Sequence, residues 1–190
     1  LQSVGLSRAV MVGHSMGGTV SLAVAIQYPH RVKKVAVVGS PIDGSSLSLL
    51  LKLLGMKAVA NIVYHHMWGF RLFFRLFAPL YSKDPRWPQM MERDLSTTTL
   101  ESFLFSIASL RRTDLRPLLP KIHIPAMGMY GDKDIVVHPA QWKPMLAGIQ
   151  HARIERFHHA GHFIMLDEPE HFSEVLKDFL DVEAPGLAGA

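Results

Sequence analysis

The chain has 190 residues, 48% hydrophobic and 19% charged, with 14 glycines and 12 prolines. That fits one domain of roughly 100–200 residues with a sizeable core and excludes a disordered or fibrous chain. No cysteine is present, which removes disulfides, Cys-based zinc sites, iron–sulfur clusters and thiol catalysis together. The formal charge of +4 arises from 20 basic against 16 acidic residues without a long basic run, so nothing in it favours nucleic acid as a partner. The longest uncharged part of the most apolar region, residues 58–70, falls short of the roughly 20 residues that cross a hydrocarbon core. The chain therefore reads as soluble and cytoplasmic, without a membrane surface as partner.

In chain order, the apolar run Arg8-Ala9-Val10-Met11-Val12-Gly13 has the pattern of a parallel strand buried on both faces. From Met16 to Tyr28 the small residues Gly17, Gly18, Ala23 and Ala25 alternate with Val20, Leu22, Val24 and Ile26. This predicts a helix able to lie close against a sheet, stopped by Pro29. A second strand follows over Val35-Ala36-Val37-Val38-Gly39, completing a βαβ unit of about 30 residues. After Asp43 a Leu-, Met- and Phe-rich helical stretch runs to about Leu110 and reads as an inserted subdomain. Strands return at residues 126–130 and 152–157. Between them lies a helical segment over 139–149, which Pro144 is expected to shorten or kink. The last helix starts at Pro169, with Phe172, Val175, Leu176, Phe179 and Leu180 at helical spacing and Glu168 and Glu170 near its positive end. The division is thus 1–43 for the first strand, helix and strand, 44–115 for the helical insertion, 116–183 for the rest of the core, and 184–190 as a flexible tail.

The chemistry concentrates in Gly13-His14-Ser15-Met16-Gly17, a G-x-S-x-G run set between a predicted strand and a predicted helix. Such a sharp turn strains the serine backbone and asks its neighbours two before and two after, Gly13 and Gly17, to lack side chains. Ser15 then stands exposed. The Met16 N–H and the positive end of the helix point to where a negative oxygen forms during acyl transfer. A serine hydroxyl is a poor nucleophile at neutral pH, so the reading needs a histidine base and a carboxylate that fixes its tautomer. His162, after the fourth strand, and Asp134, in Gly131-Asp132-Lys133-Asp134 after the third, supply them in the order Ser, Asp, His. Asp132 and Asp43 are competing carboxylates.

These residues resemble the α/β-hydrolase superfamily. The likeness rests on Val12-Gly13-His14-Ser15-Met16-Gly17-Gly18, on residues 115–125 leading to Tyr130-Gly131-Asp132-Lys133-Asp134, and on Ala160-Gly161-His162-Phe163 before Glu168-Pro169. It implies an α/β fold with a mostly parallel sheet and a helical lid. Ser15, Asp134 and His162 would form the triad, with Met16 in the oxyanion hole, and there would be neither metal nor organic cofactor. In that family the nucleophile strand is the fifth of eight, and an upstream loop supplies the second oxyanion donor. Nothing before Leu1 supplies either, so on the order of 80–100 residues are expected to be absent, at roughly 30 per strand-helix unit. The first strand is then an apolar edge through which copies self-associate.

The leading expectation is a serine hydrolase cleaving a small ester or thioester with an apolar moiety. The alternatives are a non-catalytic partial domain acting as a binding module, or a carbon–carbon hydrolase or cofactor-free peroxidase on the same triad. His158, His159 and His162 carry no zinc signature, and Gly161 argues against a helix presenting two of them on one face, so no metal is assigned. His65-His66 reads as surface or pocket lining, and His14 as a group packing beside the elbow.

Overall fold

The computed structural model describes residues 3, 5–54, 56, 58–59, 67–97 and 99–181. Four strands, β1 (Ala9–His14), β2 (Val32–Val38), β3 (Ala126–Gly131) and β4 (Ala152–Phe157), form one parallel sheet in the order β1-β2-β3-β4. Strands laid down in chain order and parallel throughout require a crossover between each pair. Helix α1 (Met16–Gln27) joins β1 to β2, and α7 (Trp142–Gly148) lies between β3 and β4.

The alternation of side chains along a strand sorts the core into two layers. Val35 and Val37 of β2 and Tyr130 of β3 pack with Leu22 of α1, Leu119 and Met145 on one face. Ala36 and Val38, with Met127 and Met129, pack on the other against Phe157, Ile164 and Phe179. Phe179 belongs to α9 (Pro169–Asp181), whose C-terminal carbonyls at Phe179 and Leu180 accept the buried Lys34 ammonium at 2.9 and 2.7 Å. A lysine inside a sheet is tolerated here because its charge meets the negative end of a helix.

The expectation of a first strand buried on both faces is corrected. Val10 and Val12 are 37% and 46% exposed, while Gly13 is buried. Among the described residues β1 pairs with β2 alone, and one of its faces carries no layer. The helix carrying Pro144, α7, is short, at seven residues within the expected 139–149 segment. Pro144 is the third residue of that helix, where backbone N–H groups have no intrahelical acceptor in any case, so its missing donor costs nothing.

Between β2 and β3 the chain leaves the sheet at Asp43 and returns at Asp114, the two residues bridged side by side. The Gly44 N–H donates to the Thr113 carbonyl at 2.8 Å, and the Leu115 N–H to Ile42 at 3.0 Å. Out of this neck rise α2 (Leu49–Leu54), α3 (Met67–Leu76), α4 (Ala78–Tyr81), α5 (Trp87–Thr97) and α6 (Leu100–Leu110). Thr99 caps α6 by accepting the Ser102 N–H. A parallel sheet with a helical insertion after its second strand is an α/β-hydrolase arrangement. No helix among the described residues is long and apolar enough to cross a membrane.

Candidate active site

The turn from β1 into α1 holds the one non-glycine residue with positive φ among those described, Ser15, at φ 52° and ψ −124°. A side chain in this region costs on the order of 1–3 kcal/mol and persists only where the surroundings impose it. They do so here. The Ser15 N–H donates to the Val38 carbonyl at 2.8 Å, and the Ser15 carbonyl accepts the Gly18 N–H at 3.0 Å. The turn is so tight that a Cβ on Gly13 would run into the Gly17 carbonyl, and one on Gly18 into the Ser40 side chain. The steric demand assigned to Gly17 is corrected, because a Cβ there would meet nothing within 4 Å among the described residues. The close approach of α1 to the loop after β2 falls on Gly18, against Ser40. Met16 opens α1, so its N–H lies in the first turn, where donors have no intrahelical acceptor.

On the next two loops, His162 Nδ1 donates to Asp134 Oδ2 at 2.8 Å, with side chains only 4% and 2% exposed. The other oxygen of Asp134 accepts the N–H groups of Val136 and Val137 at 2.8 and 2.9 Å, which locks the carboxylate. With its proton on Nδ1, His162 keeps Nε2 as an acceptor. Gly39 follows β2 at φ 53°, and a Cβ there would stand 3.3 Å from His162 Nδ1 and 3.4 Å from Asp134 Oδ2. Glycine therefore serves twice at this position, for the left-handed backbone and for the close approach of the pair.

The competing carboxylates are engaged elsewhere. Asp43 caps the turn Gly44–Ser46, accepting the N–H and hydroxyl of Ser45 and, at 3.2 Å, the Gln141 amide. Burial raises its carboxyl, but those hydrogen bonds outweigh burial and hold it below the usual range. Asp132 binds Arg156 at 2.9–3.0 Å and His158 at 2.6 Å on the surface. His158 is thus a hydrogen-bond partner of Asp132. Among the described residues no three His, Cys, Asp or Glu side chains are grouped to hold a metal. His65, His66 and the 184–190 tail lie outside the described residues.

His14 does more than fill space. Its Nε2 donates to the His162 carbonyl at 2.9 Å, and the two rings lie 4.7 Å apart. Burial, then the adjacent His162 ring, push its imidazole down to about 4. Unfolded, the same group binds a proton near pH 6.5. Between those values the unfolded chain holds more protons than the folded one, so His14 supports stability fully above about 6.5 and loses that support as pH falls to about 4. Urea midpoints at pH 7 and pH 5 should therefore drop more for the wild type than for His14→Gln, and equal drops would show that His14 does not titrate in this way.

Ser15 and His162 line one cavity of about 240 Å³. The core side adds His14, Met16, Val136 and Phe163, and the insertion adds Leu50, Leu51, Trp87, Phe103 and Ile107. Of the two insertion-side serines, Ser106 donates to the Ser102 carbonyl and Ser48 accepts the Leu51 N–H. The wall facing Ser15 is accordingly mostly apolar, with Tyr81 adding a phenol, and no lysine or arginine lines it among the described residues. Sequence reasoning missed Gly39, Phe163 and Trp87. Their apolar or glycine character is visible in the chain, but that Phe163 and Trp87 meet at the cavity and Gly39 meets the His–Asp pair are long-range facts.

A strained serine at a strand-to-helix turn, together with a buried His–Asp pair on later loops of a parallel sheet, defines a recognisable group of proteins. Comparison with known families matches residues 1–175 to the one described as the alpha/beta hydrolase family. The chain belongs to it. Similar curated proteins include a 2-hydroxy-6-oxononadienedioate/2-hydroxy-6-oxononatrienedioate hydrolase from a Pseudomonas species. It is 27% identical over 188 residues, covering 95% of this chain and 65% of that protein. A 2-hydroxy-6-oxo-6-phenylhexa-2,4-dienoate hydrolase from Comamonas testosteroni is 26% identical over 200 residues, with the same coverage. The chain therefore spans about 65% of the length of these relatives. Among solved structures, an esterase from Exiguobacterium antarcticum shares the fold. Its TM-score is 0.78 at 23% identity, over 95% of this chain and 69% of that one.

The relatives' names correct the expected reaction. A 2-hydroxy-6-oxo-6-phenylhexa-2,4-dienoate contains no ester, thioester or amide, so its hydrolase breaks a carbon–carbon bond beside a ketone. The ester and thioester reading drawn from the triad is overturned by these similarities over 95% of the chain. The physical reason is that one triad serves both reactions, and the leaving group decides between them.

Proposed function

We propose that this α/β hydrolase cleaves the carbon–carbon bond next to the 6-oxo group of a 2-hydroxy-6-oxo-dienoate whose acyl substituent is apolar. Ser15 Oγ adds to the ketone carbon while His162 Nε2 takes its proton, and Asp134 holds the imidazolium. The negative oxygen meets the Met16 N–H at the positive end of α1. The C5–C6 bond then breaks. In the 2-oxo tautomer, formed as the 2-hydroxyl gives up its proton and C5 gains one, the electron pair of that bond spreads from C5 through the adjacent C=C to the 2-oxo oxygen, and His162 returns the proton to the leaving dienolate. Water, deprotonated by His162, cleaves the Ser15 acyl ester to a carboxylic acid and restores the serine.

The observation carrying this reading is the set of substrates in the relatives' names, which span nearly the whole chain. The cavity narrows the choice. A nonadienedioate presents a second carboxylate on its acyl side, and burying a carboxylate without a cationic partner is costly. The described wall beside Ser15 offers no lysine or arginine, and beyond Tyr81 and two serines it is Leu, Met, Phe, Trp and Ile.

The two substrate types separate the readings. With 2-hydroxy-6-oxo-6-phenylhexa-2,4-dienoate the protein should yield benzoate and a hydroxypentadienoate. The kcat/KM should exceed that for the nonadienedioate by at least about tenfold, the worth of one mispaired polar group. An unconsumed phenyl ketone would overturn the reaction, and a preferred dicarboxylate would overturn the apolar assignment.

A further inference from the structure

Asp167 ends α8 (Ile164–Asp167), five residues beyond His162, and its carboxylate is fully engaged. One oxygen accepts the Ser82 hydroxyl and the Lys83 N–H, each at 2.8 Å, and the other accepts the Gly161 N–H at 2.8 Å. Ser82 and Lys83 belong to the insertion, in the stretch between α4 and α5, whereas Gly161 is the residue before His162. A single carboxylate therefore fastens the insertion, some 85 residues away in sequence, to the backbone beside the histidine. Ser82 is buried. A run of rings follows the same route. Tyr81 stacks on Trp87 at 5.3 Å, Trp87 meets Phe163 edge-on at 5.5 Å, and Phe163 meets His162 edge-on at 5.3 Å.

We infer that Asp167 is a positioning residue that couples the docking of the helical insertion to the orientation of His162. The inference rests on His162 being the base of the proposed reaction. Glycine leaves the backbone before His162 free to rotate, and the hydrogen bond from its N–H to a charged oxygen removes that freedom. When the insertion is docked, Ser82 and Lys83 hold the carboxylate in the rotamer that reaches Gly161. When it lifts, two of three donors leave, the carboxylate turns to water, and the loop before His162 loses the Gly161 restraint, leaving His162 held by Asp134 and His14. The closed cavity and the aligned base thus occur together. In Asp167→Asn one of the two acceptor atoms becomes an NH₂ group, which cannot accept, so the bridge fails on one side whichever way the amide sits.

The test reads the proton between His162 Nδ1 and Asp134 by NMR, on the whole chain without substrate, so it stays readable if the carbon–carbon reading fails. Asp167→Asn should broaden or shift that downfield resonance, lower kcat about tenfold and leave KM within about twofold, as expected when a reacting group drifts by a fraction of an ångström. Ser82→Ala keeps the Asp167 oxygen that Gly161 needs but removes one of the two insertion-side donors holding that carboxylate in its rotamer, so the Gly161 hydrogen bond loosens without being abolished. It should move the resonance in the same direction, with kcat down about threefold. If both variants melt earlier but keep the wild-type resonance and kcat, the bridge is structural alone and the inference is wrong. Should Asp167→Asn not fold, an unchanged resonance in Ser82→Ala overturns it by itself.

Discussion

Replacing Ser15 by alanine should lower turnover of the phenyl ketone by roughly 10⁴–10⁶-fold, because the remaining groups bind and polarise the carbonyl but nothing is left to form the acyl intermediate. KM should change little, since the cavity wall is untouched. A fluorophosphonate probe that labels the wild type should no longer label the variant. The fold should survive, for alanine at φ 52° is no more strained than serine. Ser15→Gly sharpens the test. Glycine accepts that backbone region freely, so the variant should be inactive yet more stable than the wild type by about 1 kcal/mol or more, the strain released. Full labelling and turnover in Ser15→Ala would remove Ser15 from the reaction.

Asp134→Asn should cost about 10⁴ in kcat, by analogy with the tautomer-holding carboxylate of serine proteases. The asparagine carbonyl oxygen can still accept the Val136 and Val137 N–H groups that Asp134 Oδ1 accepts now, so the loop keeps its shape. The amide NH₂ then faces His162 Nδ1 and can only donate. Nδ1 must give up its proton, the proton moves to Nε2, and the nitrogen facing the cavity can no longer take one from Ser15. Asp43→Asn should behave in the opposite manner, with little change in rate but a lower melting temperature. Its carboxylate holds Ser45 and Gln141, which donates to it at 3.2 Å, rather than the histidine. The reverse ranking would move the acid to Asp43.

These two predictions differ in how far the chain alone reaches. Ser15 was legible because its signal is local: five consecutive residues, a strand before and a helix after. The four strands were legible for the same reason. Runs such as Val35-Ala36-Val37-Val38 are apolar at every position, which suits a strand covered on both sides, and the structure divides them between two core layers. The choice of Asp134 over Asp132 and Asp43 came from resemblance. What distinguishes the three is which one faces a histidine 28 residues away and which ones their own loops consume.

Composition, periodicity and local motif by themselves determined a parallel α/β core with a helical insertion and an elbow serine, since these follow from neighbours in sequence. The tertiary structure decided that Gly18 rather than Gly17 admits α1 against Ser40 in the loop after β2, that Pro144 sits in the first turn of α7 where no donor is needed, and that Val10 and Val12 stand open. It alone showed Gly39 against the His–Asp pair and Asp167 bridging the insertion to the loop of His162. The physical reason is common to all of them: each is a steric or hydrogen-bonding relation between segments far apart in the chain, and no local pattern of side chains encodes which segment arrives opposite.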